Sequence, residues 1–162
     1  MASDPLSGLH DAGAFLELLA REELRRSRTG EPLAVAVIDL DGLRSINARH
    51  GATAGTGALR ACAAALRSTA RGVDDLARTG HDEFSVLLHA TGAGSAGAWV
   101  ERFEDALELV AGAHPAAPIT CAIGLADSTE ASTLLSVAGL AGERMRAIQG
   151  VRKLRRARDE RR

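Results

Sequence analysis

Two adjacent carboxylates, Asp82 and Glu83, stand between a glycine-containing turn and an alternating apolar strand. Carboxylates rarely begin a strand unless a cation or a hydrogen-bond donor meets them there. A second acidic pair, Asp39 and Asp41, follows the apolar run 33–38, which is typical of a central strand. Aspartates at two strand ends can together hold Mg²⁺ against a nucleotide phosphate.

Hydrophobic periodicity and the positions of glycine and proline predict the element order. We expect strands over Leu33–Ile38, Asp75–Thr79, Glu83–His89 and Ile119–Ala126, and helices over Asp11–Arg28, Ala54–Ala70, Ala96–Ala111 and Glu130–Ile148, with a short helical turn over Leu43–Arg49. The core order βαββαβ is that of a ferredoxin-like α/β (α+β) fold, here with an added helix at each end.

A ferredoxin-like sheet has a consequence for the two acidic strand ends. Its first and third strands lie side by side and antiparallel, so Asp39, ending the first, should lie near Asp82, opening the third. Spacing alone leaves two interpretations open. The pair is either a metal site or two strand-end residues that make turn hydrogen bonds.

Composition excludes several classes of protein. A length of 162 residues suits one domain, and a net charge of −1 provides no overall field for nucleic acid or a membrane surface. No run of about 18 apolar residues is present. Cys62 and Cys121 lie in apolar patterns, which indicates reduced thiols and a cytoplasmic location. We expect a domain over 1–151 and a basic tail over 152–162, either a solvated end or a segment that contacts RNA, acidic lipid or nucleotide phosphate.

Several segments, in order, resemble one known family. The turn Arg78–Phe84, RTGHDEF, looks like the GGDEF signature of diguanylate cyclases, with His81 in place of the second glycine. Further segments are similar to other motifs of the family: Asp4–Asp11 to its entry motif, Val37–Asn47 to IDIDxFKxIND, Asn47–Thr56 to NDxxGHxxGD, Arg71–Asp74 to the inhibitory RxxD motif, and Ile119–Ala126 to its last core strand. The resemblance covers nearly the whole chain.

The resemblance implies an activity and a set of residue roles. Diguanylate cyclases condense two GTP into cyclic di-GMP across a homodimer, each 3′-hydroxyl attacking the α-phosphate of the other nucleotide, with Mg²⁺ as cofactor. By this resemblance Mg²⁺ is held by Asp39, the Leu40 carbonyl and Asp82, while Glu83 acts near the attacking hydroxyl. The implied substrate-binding residues are Asn47, Thr56, Arg44, Gly80, His81 and Arg146, and the implied inhibitory cyclic di-GMP site is Arg71 and Asp74.

Three departures from the family pattern bear on activity. Thr56 replaces a guanine-reading carboxylate and offers weaker hydrogen bonding. His81 replaces a glycine that allows a sharp turn and close approach of the nucleotide. Gly150 stands where an arginine grips the triphosphate, although Arg152 or Lys153 are near enough in sequence to reach in. We therefore expect impaired cyclase activity, or alternatively an inactive module that binds GTP or cyclic di-GMP, or one that only contacts partners.

The RxxD segment has a simpler interpretation. Arg71 and Asp74 suit a cation at a helix C-terminus and an acid at a strand entry. The inhibitory-site interpretation predicts that both lie on the surface, away from Asp39 and Asp82.

Overall fold

The computed structural model describes all residues from Met1 to Arg162. Its helices are α1 (Ala12–Thr29), α2 (Leu43–His50), α3 (Ala52–Thr69), α4 (Ala93–Val110) and α5 (Leu134–Asp159). Its strands are β1 (Ala34–Leu40), β2 (Asp75–Arg78), β3 (Glu83–Leu88) and β4 (Cys121–Asp127). None of the helices combines the length and the apolarity that crossing a membrane requires.

The strands form one sheet in the order β2-β3-β1-β4, and every neighbouring pair is antiparallel. This order confirms the expected ferredoxin-like core. Strand β1 lies between β3 and β4 and is buried along almost its whole length. Its continuous apolar run follows from that position, because both of its faces are covered.

Helices cover the sheet on both faces and create two separate cores. On one face, Ile38, Phe84 and Val86 pack with residues of α3 and α4 such as Leu66 and Phe103. On the other face, alternate strand residues pack with α1 and α5, as the period of two along a strand requires. Asp39 continues the alternation of the α1 and α5 face, so its side chain belongs to the side that α5 covers.

Helix α5 differs most from expectation, because it begins at Leu134 instead of Glu130 and ends at Asp159 instead of Ile148. Thr133 caps its start by accepting a hydrogen bond from the Ser136 amide at 3.1 Å. No proline follows Ile148, and an isolated Gly150 is too weak a signal to stop the helix. The helix therefore passes the expected boundary at 151/152 without a break.

Two glycines shape the region around the end of β1: one forms the turn after β1, and the other lets α5 pack closely on β4. Gly42 has φ of 67°, a left-handed conformation that reverses the chain between β1 and α2. A Cβ on Gly124 of β4 would lie 1.9 Å from the Ala141 carbonyl oxygen of α5. The sheet and α5 are thus in backbone contact at this point.

Candidate active site

The acidic ends of β1 and β3 meet at one edge of the sheet. Asp39 is the register partner of Glu83, and the Leu40 amide donates a hydrogen bond of 2.9 Å to the Asp82 carbonyl. The structure therefore brings Asp39 of β1 next to Asp82, the residue that directly precedes β3. Asp39, Leu40, Arg44 and Asp82 line one cleft of about 240 Å³.

The surroundings of the Asp39 carboxylate disfavour its negative charge. Burial raises its pKa from 3.8 to about 6, and the negative charges of Asp82, Glu83 and Asp41 add to the effect. A side-chain hydrogen bond with Gln149 of α5 acts in the opposite direction. No salt bridge neutralises Asp39 or Asp82. The cleft thus holds negative charge that a cation would stabilise.

Asp41 has a different environment, although it is only two residues away. Its Oδ2 accepts hydrogen bonds from Thr120 Oγ1 at 2.7 Å and from the Arg152 guanidinium at 2.6 Å. Arg152 also donates to the Cys121 carbonyl at 3.0 Å. Asp41 therefore ties α5 to the ends of β1 and β4, and its charge is already compensated.

The far end of α5 supplies cations to the cleft. Gln149, Arg152, Lys153 and Arg156 line it opposite Asp39 and Asp82. Arg152 and Lys153 were the residues expected to compensate for Gly150, whereas sequence reasoning missed Gln149 and Arg156. The signal was present in the spacing 149, 152/153 and 156, which places these residues on one helical face once α5 is known to continue.

Arg78 braces the signature turn, a role that sequence reasoning also missed. Its guanidinium donates to the His81 carbonyl at 2.6 Å and pairs with Asp4 at 3.1 Å. Burial acts to raise the pKa of Asp4, but hydrogen bonds from Ser7 and the charge of Arg78 hold it below 3.8. The entry motif and the signature turn are therefore joined by an arginine whose side chain is 12% exposed.

His81 itself is exposed, and its backbone is not left-handed, since Ala90 is the only residue other than glycine with positive φ. Gly80 also lacks a positive φ. The turn therefore forms with histidine at position 81 and needs no left-handed backbone there. Any effect of His81 must come from its side chain near a bound nucleotide, because the backbone accepts a histidine without strain.

Glu83 and Arg146 lie together in a neighbouring groove of about 390 Å³ between β3, α1 and α5. Glu83 accepts a hydrogen bond of 2.9 Å from Thr79 Oγ1, and that hydroxyl also lies 2.9 Å from Ser85 Oγ. The guanidinium of Arg146 lies over Gly142, where a Cβ would be 3.3 Å away. Both predicted residues thus lie beside the Asp39 cleft, although they do not line it.

Asn47 and Thr56 lie on α2 and α3, outside both depressions. Asn47 Oδ1 is buried and has no hydrogen-bond partner. It lies so close to Gly55 that an added Cβ would be 1.7 Å away. Because Thr56 is the next residue, the α2–α3 contact brings together the segments that carry the two residues expected to read guanine.

Arg71 and Asp74 lie at the opposite end of the sheet, as expected. The register pairs Asp75 with Leu87 there, while Asp39 pairs with Glu83 at the other end. The expectation of surface exposure holds for Arg71, whose side chain is 53% exposed, and is wrong for Asp74, at 1%. The Asp74 carboxylate accepts hydrogen bonds from the backbone amides of Arg71 at 2.8 Å and His89 at 3.0 Å.

Arg71 is itself held in place. Its guanidinium pairs with Asp74 at 3.3 Å and donates to Thr91 Oγ1 at 2.9 Å and to the His89 carbonyl. Arg71 also lines a cleft with Arg102 and Trp99 of α4. The segment is therefore a structural brace as well as a candidate anion site.

The carboxylates of Asp39 and Asp82 suit a divalent cation that also binds a ligand. No group of three or more His, Cys, Asp or Glu side chains is arranged to hold a metal. Mg²⁺, however, usually takes one or two carboxylates and completes its shell with phosphate oxygens and water. The uncompensated charge of Asp39 and Asp82 fits that mode of binding.

The chain resembles known proteins along most of its length. The family model "Diguanylate cyclase, GGDEF domain" matches residues 1–152. Among curated relatives, diguanylate cyclase DgcP of Pseudomonas aeruginosa is 38% identical over 125 residues, which are 76% of this chain and 19% of DgcP. Diguanylate cyclase DgcS of Shewanella oneidensis is 28% identical over 127 residues, or 78% of this chain and 42% of DgcS. The chain thus spans less than half the length of these relatives.

Solved structures show the same fold. Diguanylate cyclase SiaD of Pseudomonas aeruginosa, solved with its activator SiaC, superposes with a TM-score of 0.83 at 28% identity, covering 92% of this chain and 58% of SiaD. The FimX GGDEF domain of Pseudomonas aeruginosa superposes with a TM-score of 0.80 at 25% identity, covering 91% of this chain and 93% of that domain. The fold, the paired acidic strand ends and the family match lead to one conclusion: this chain belongs to the GGDEF domain family of diguanylate cyclases.

Proposed function

We propose that this chain binds one GTP with Mg²⁺, and that two copies condense two GTP into cyclic di-GMP at a low rate. The observation that carries the proposal is the juxtaposition of Asp39 and Asp82 in a cleft that also holds cations from α5, with Glu83 beside it as the register partner of Asp39. Carboxylates that repel one another, facing Lys153 and Arg156, suit a cation bound to a polyphosphate. A cytoplasmic location, where GTP is available, is part of the proposal.

In this proposal the side chains of Asp39 and Asp82 and the carbonyl of Leu40 hold the metal. When bound, Mg²⁺ supplies electrostatic stabilisation of charge on the phosphate oxygens. Lys153 and Arg156 orient the triphosphate from the side of α5. Arg152 is committed to Asp41 and keeps α5 in place. The chain thus contributes mainly positioning and a preorganised field, which suit attack of a 3′-hydroxyl on an α-phosphate with pyrophosphate as the leaving group.

Glu83 is the proposed residue near the attacking 3′-hydroxyl. Its hydrogen bond from Thr79 restrains the carboxylate at the start of β3. Asn47 is the proposed guanine-binding residue by its match to the family motif, since a side-chain amide can accept and donate hydrogen bonds at the edge of a base. Its Oδ1 is buried against Gly55, so the proposal requires the side chain to turn toward the nucleotide.

Thr56 is the proposed cause of weak substrate binding. Loss of a hydrogen bond to a charged group costs about 1.5–3 kcal/mol, which corresponds to roughly a tenfold to hundredfold lower affinity. His81 adds an imidazole beside the expected path of the nucleotide. The proposed result is a domain with an intact fold and slow turnover.

The test is formation of cyclic di-GMP from GTP and Mg²⁺, with GTP affinity measured by calorimetry alongside. Thr56→Asp should raise GTP affinity roughly tenfold to hundredfold, and His81→Gly should mainly raise turnover. Asp39→Asn and Asp82→Asn should abolish Mg²⁺-dependent GTP binding. Glu17→Gln, which alters an exposed residue of α1, should have no effect.

Two results would count against the proposal. Vigorous turnover by the unmodified chain would refute the assigned effects of Thr56 and His81. GTP binding without product, even in the Thr56→Asp/His81→Gly variant, would instead indicate a non-catalytic nucleotide-binding module.

We also propose that the cleft at Arg71 binds cyclic di-GMP. An arginine fork suits bidentate contacts with phosphate or a guanine edge, and Arg102 lines the same cleft. Calorimetric titration with cyclic di-GMP should show weaker binding by Arg71→Ala. Because Arg71 also braces the fold, Arg102→Ala provides a second variant whose side chain is outside that brace. Equal affinity of all three proteins, or no binding by the wild type, would remove this site.

A further inference from the structure

The last turns of α5 concentrate positive charge that the chain itself does not compensate. Residues 143–162 carry nine of the 20 Arg and Lys residues but only three of the 21 acids. Of these nine cations, only Arg144 and Arg152 form ion pairs, with Glu130 and Asp41. The remaining cations beyond Arg152 are exposed.

Apolar side chains lie exposed on the same turns. Ile148, Val151 and Leu154 follow one another at a spacing of three, which places them along one side of the helix. Val151 is 51% and Leu154 75% exposed. These apolar side chains, set beside a run of cations, form a strip that the rest of the chain does not cover.

Helix α4 presents the opposite charge. Glu101, Glu104, Asp105 and Glu108 are exposed at helical spacing, and none of them forms an ion pair. Acids at i, i+3, i+4 and i+7 repel one another and destabilise the isolated helix. This face therefore favours a basic partner.

A groove of about 540 Å³ lies beside this acidic face. Glu104 and Glu108 form its rim, Leu107 and Ile119 belong to its apolar lining, and Arg152 of α5 borders it. A groove that is apolar inside and acidic at the rim matches, in shape and charge, a helix with exposed leucine and flanking arginines.

We propose that the end of α5 from a second copy of this chain docks in this groove. Val151 and Leu154 of one copy contact the apolar lining of the other, and Arg155 and Arg158 pair with Glu104 and Glu108. Because each copy carries both the groove and the helix end, reciprocal docking closes a two-fold dimer. The contact needs no nucleotide and uses neither Asp39 nor Asp82, so it is separate from any pairing of active sites.

A charge-swap experiment tests this docking in the absence of GTP, with molar mass measured by light scattering and sedimentation. The wild type should be dimeric, and the affinity of its dimer should fall as salt rises from about 0.05 to about 0.5 M. Glu104→Arg/Glu108→Arg and Arg155→Glu/Arg158→Glu should each weaken the dimer at least about tenfold. An equimolar mixture of the two variants should form a heterodimer, because each groove then meets a helix end of opposite charge.

Matched controls separate docking from general effects of charge or exposure. Glu17→Arg/Glu143→Arg reverses two exposed acids outside the groove and should leave the dimer unchanged. Leu154→Asp should weaken the dimer, whereas the same change at Leu109, which is exposed on α4 outside the groove, should not.

The proposal is overturned if the wild type stays monomeric at about 100 μM, well above a micromolar Kd. It is also overturned if the mixed variants fail to associate, or if the control changes dissociate the dimer as strongly as the groove changes do. A monomeric wild type that binds phosphatidylserine vesicles through Leu154 would assign the end of α5 to a lipid surface and likewise overturn it.

Discussion

Replacing Asp39 with asparagine should stabilise the domain in the absence of metal. The change keeps the shape and the oxygen that meets Gln149, but removes the charge that Asp82, Glu83 and Asp41 repel. A pKa raised from 3.8 to about 6 corresponds to roughly 3 kcal/mol at about 1.4 kcal/mol for each unit. Because Asp39 is only half-buried, solvent screening reduces this to about 1 kcal/mol.

The sign of the pH dependence follows from the raised pKa. Between pH 3.8 and about 6 the folded state binds the Asp39 proton more tightly than the unfolded state does. The free energy of unfolding therefore falls as pH rises through this window, by the linkage relation. The advantage of Asp39→Asn should be complete above about pH 6 and absent below pH 3.8.

Thermal unfolding in EDTA at several pH values measures this effect. For a domain of this size, about 1 kcal/mol raises Tm by about 2–4 °C. Mg²⁺ with GTP should stabilise the wild type and not the variant. Asp41→Asn is the matched control, since the same change there removes the negative charge that Arg152 and Thr120 contact and should lower stability by about 1 kcal/mol.

The reasoning is refuted if Asp39→Asn lowers Tm at pH 8 without metal, or if its gain is as large at pH 3.5 as at pH 8. Stabilisation by Asp41→Asn would also contradict it, because compensated and uncompensated carboxylates would then behave alike.

Four further changes test the local geometry by urea unfolding. Gly124→Ala should cost about 3 kcal/mol or more, since its Cβ would lie 1.9 Å from the Ala141 carbonyl oxygen; a neutral result would mean that α5 does not contact β4 there. Asp74→Ala should cost about 2–3 kcal/mol by removing the acceptor of the Arg71 and His89 amides and the partner of the Arg71 guanidinium, and a loss under about 0.5 kcal/mol would contradict the brace. Ala90→Gly should stabilise by about 1 kcal/mol, because φ at that position is 48°; destabilisation would disprove the left-handed backbone. His81→Gly should lower stability by no more than about 1 kcal/mol, and a clear gain would reveal strain at this turn.

Much of the site was predictable because its key residues lie at the ends of strands that periodicity identifies. The apolar run before Asp39 and the strand after Glu83 define two strands, and the βαββαβ order makes them neighbours. The α5 contribution was harder to predict. Its helical end is polar on the side facing the domain, so Gln149, Arg152 and Arg156 carry no hydrophobic periodicity to extend the helix past Ile148.

The effect of His81 could not be judged from sequence either. Glycine in a family motif allows a sharp turn, but only the folded turn shows that φ is not positive at this position and that Arg78 holds its carbonyl. In the same way, the spacing of Arg71 and Asp74 indicates an anion site, while the fold buries the Asp74 carboxylate against two backbone amides.

The sequence alone determined the element types, their order and the positions of Asp39 and Asp82 at strand ends, because alternation and apolar runs are local properties. Tertiary structure decided which charges remain uncompensated. Asp39 and Asp41 are equivalent in sequence terms, but β4 and α5 bring Thr120 and Arg152 to Asp41 alone. The difference arises from contacts between residues far apart in the chain, which no local pattern encodes.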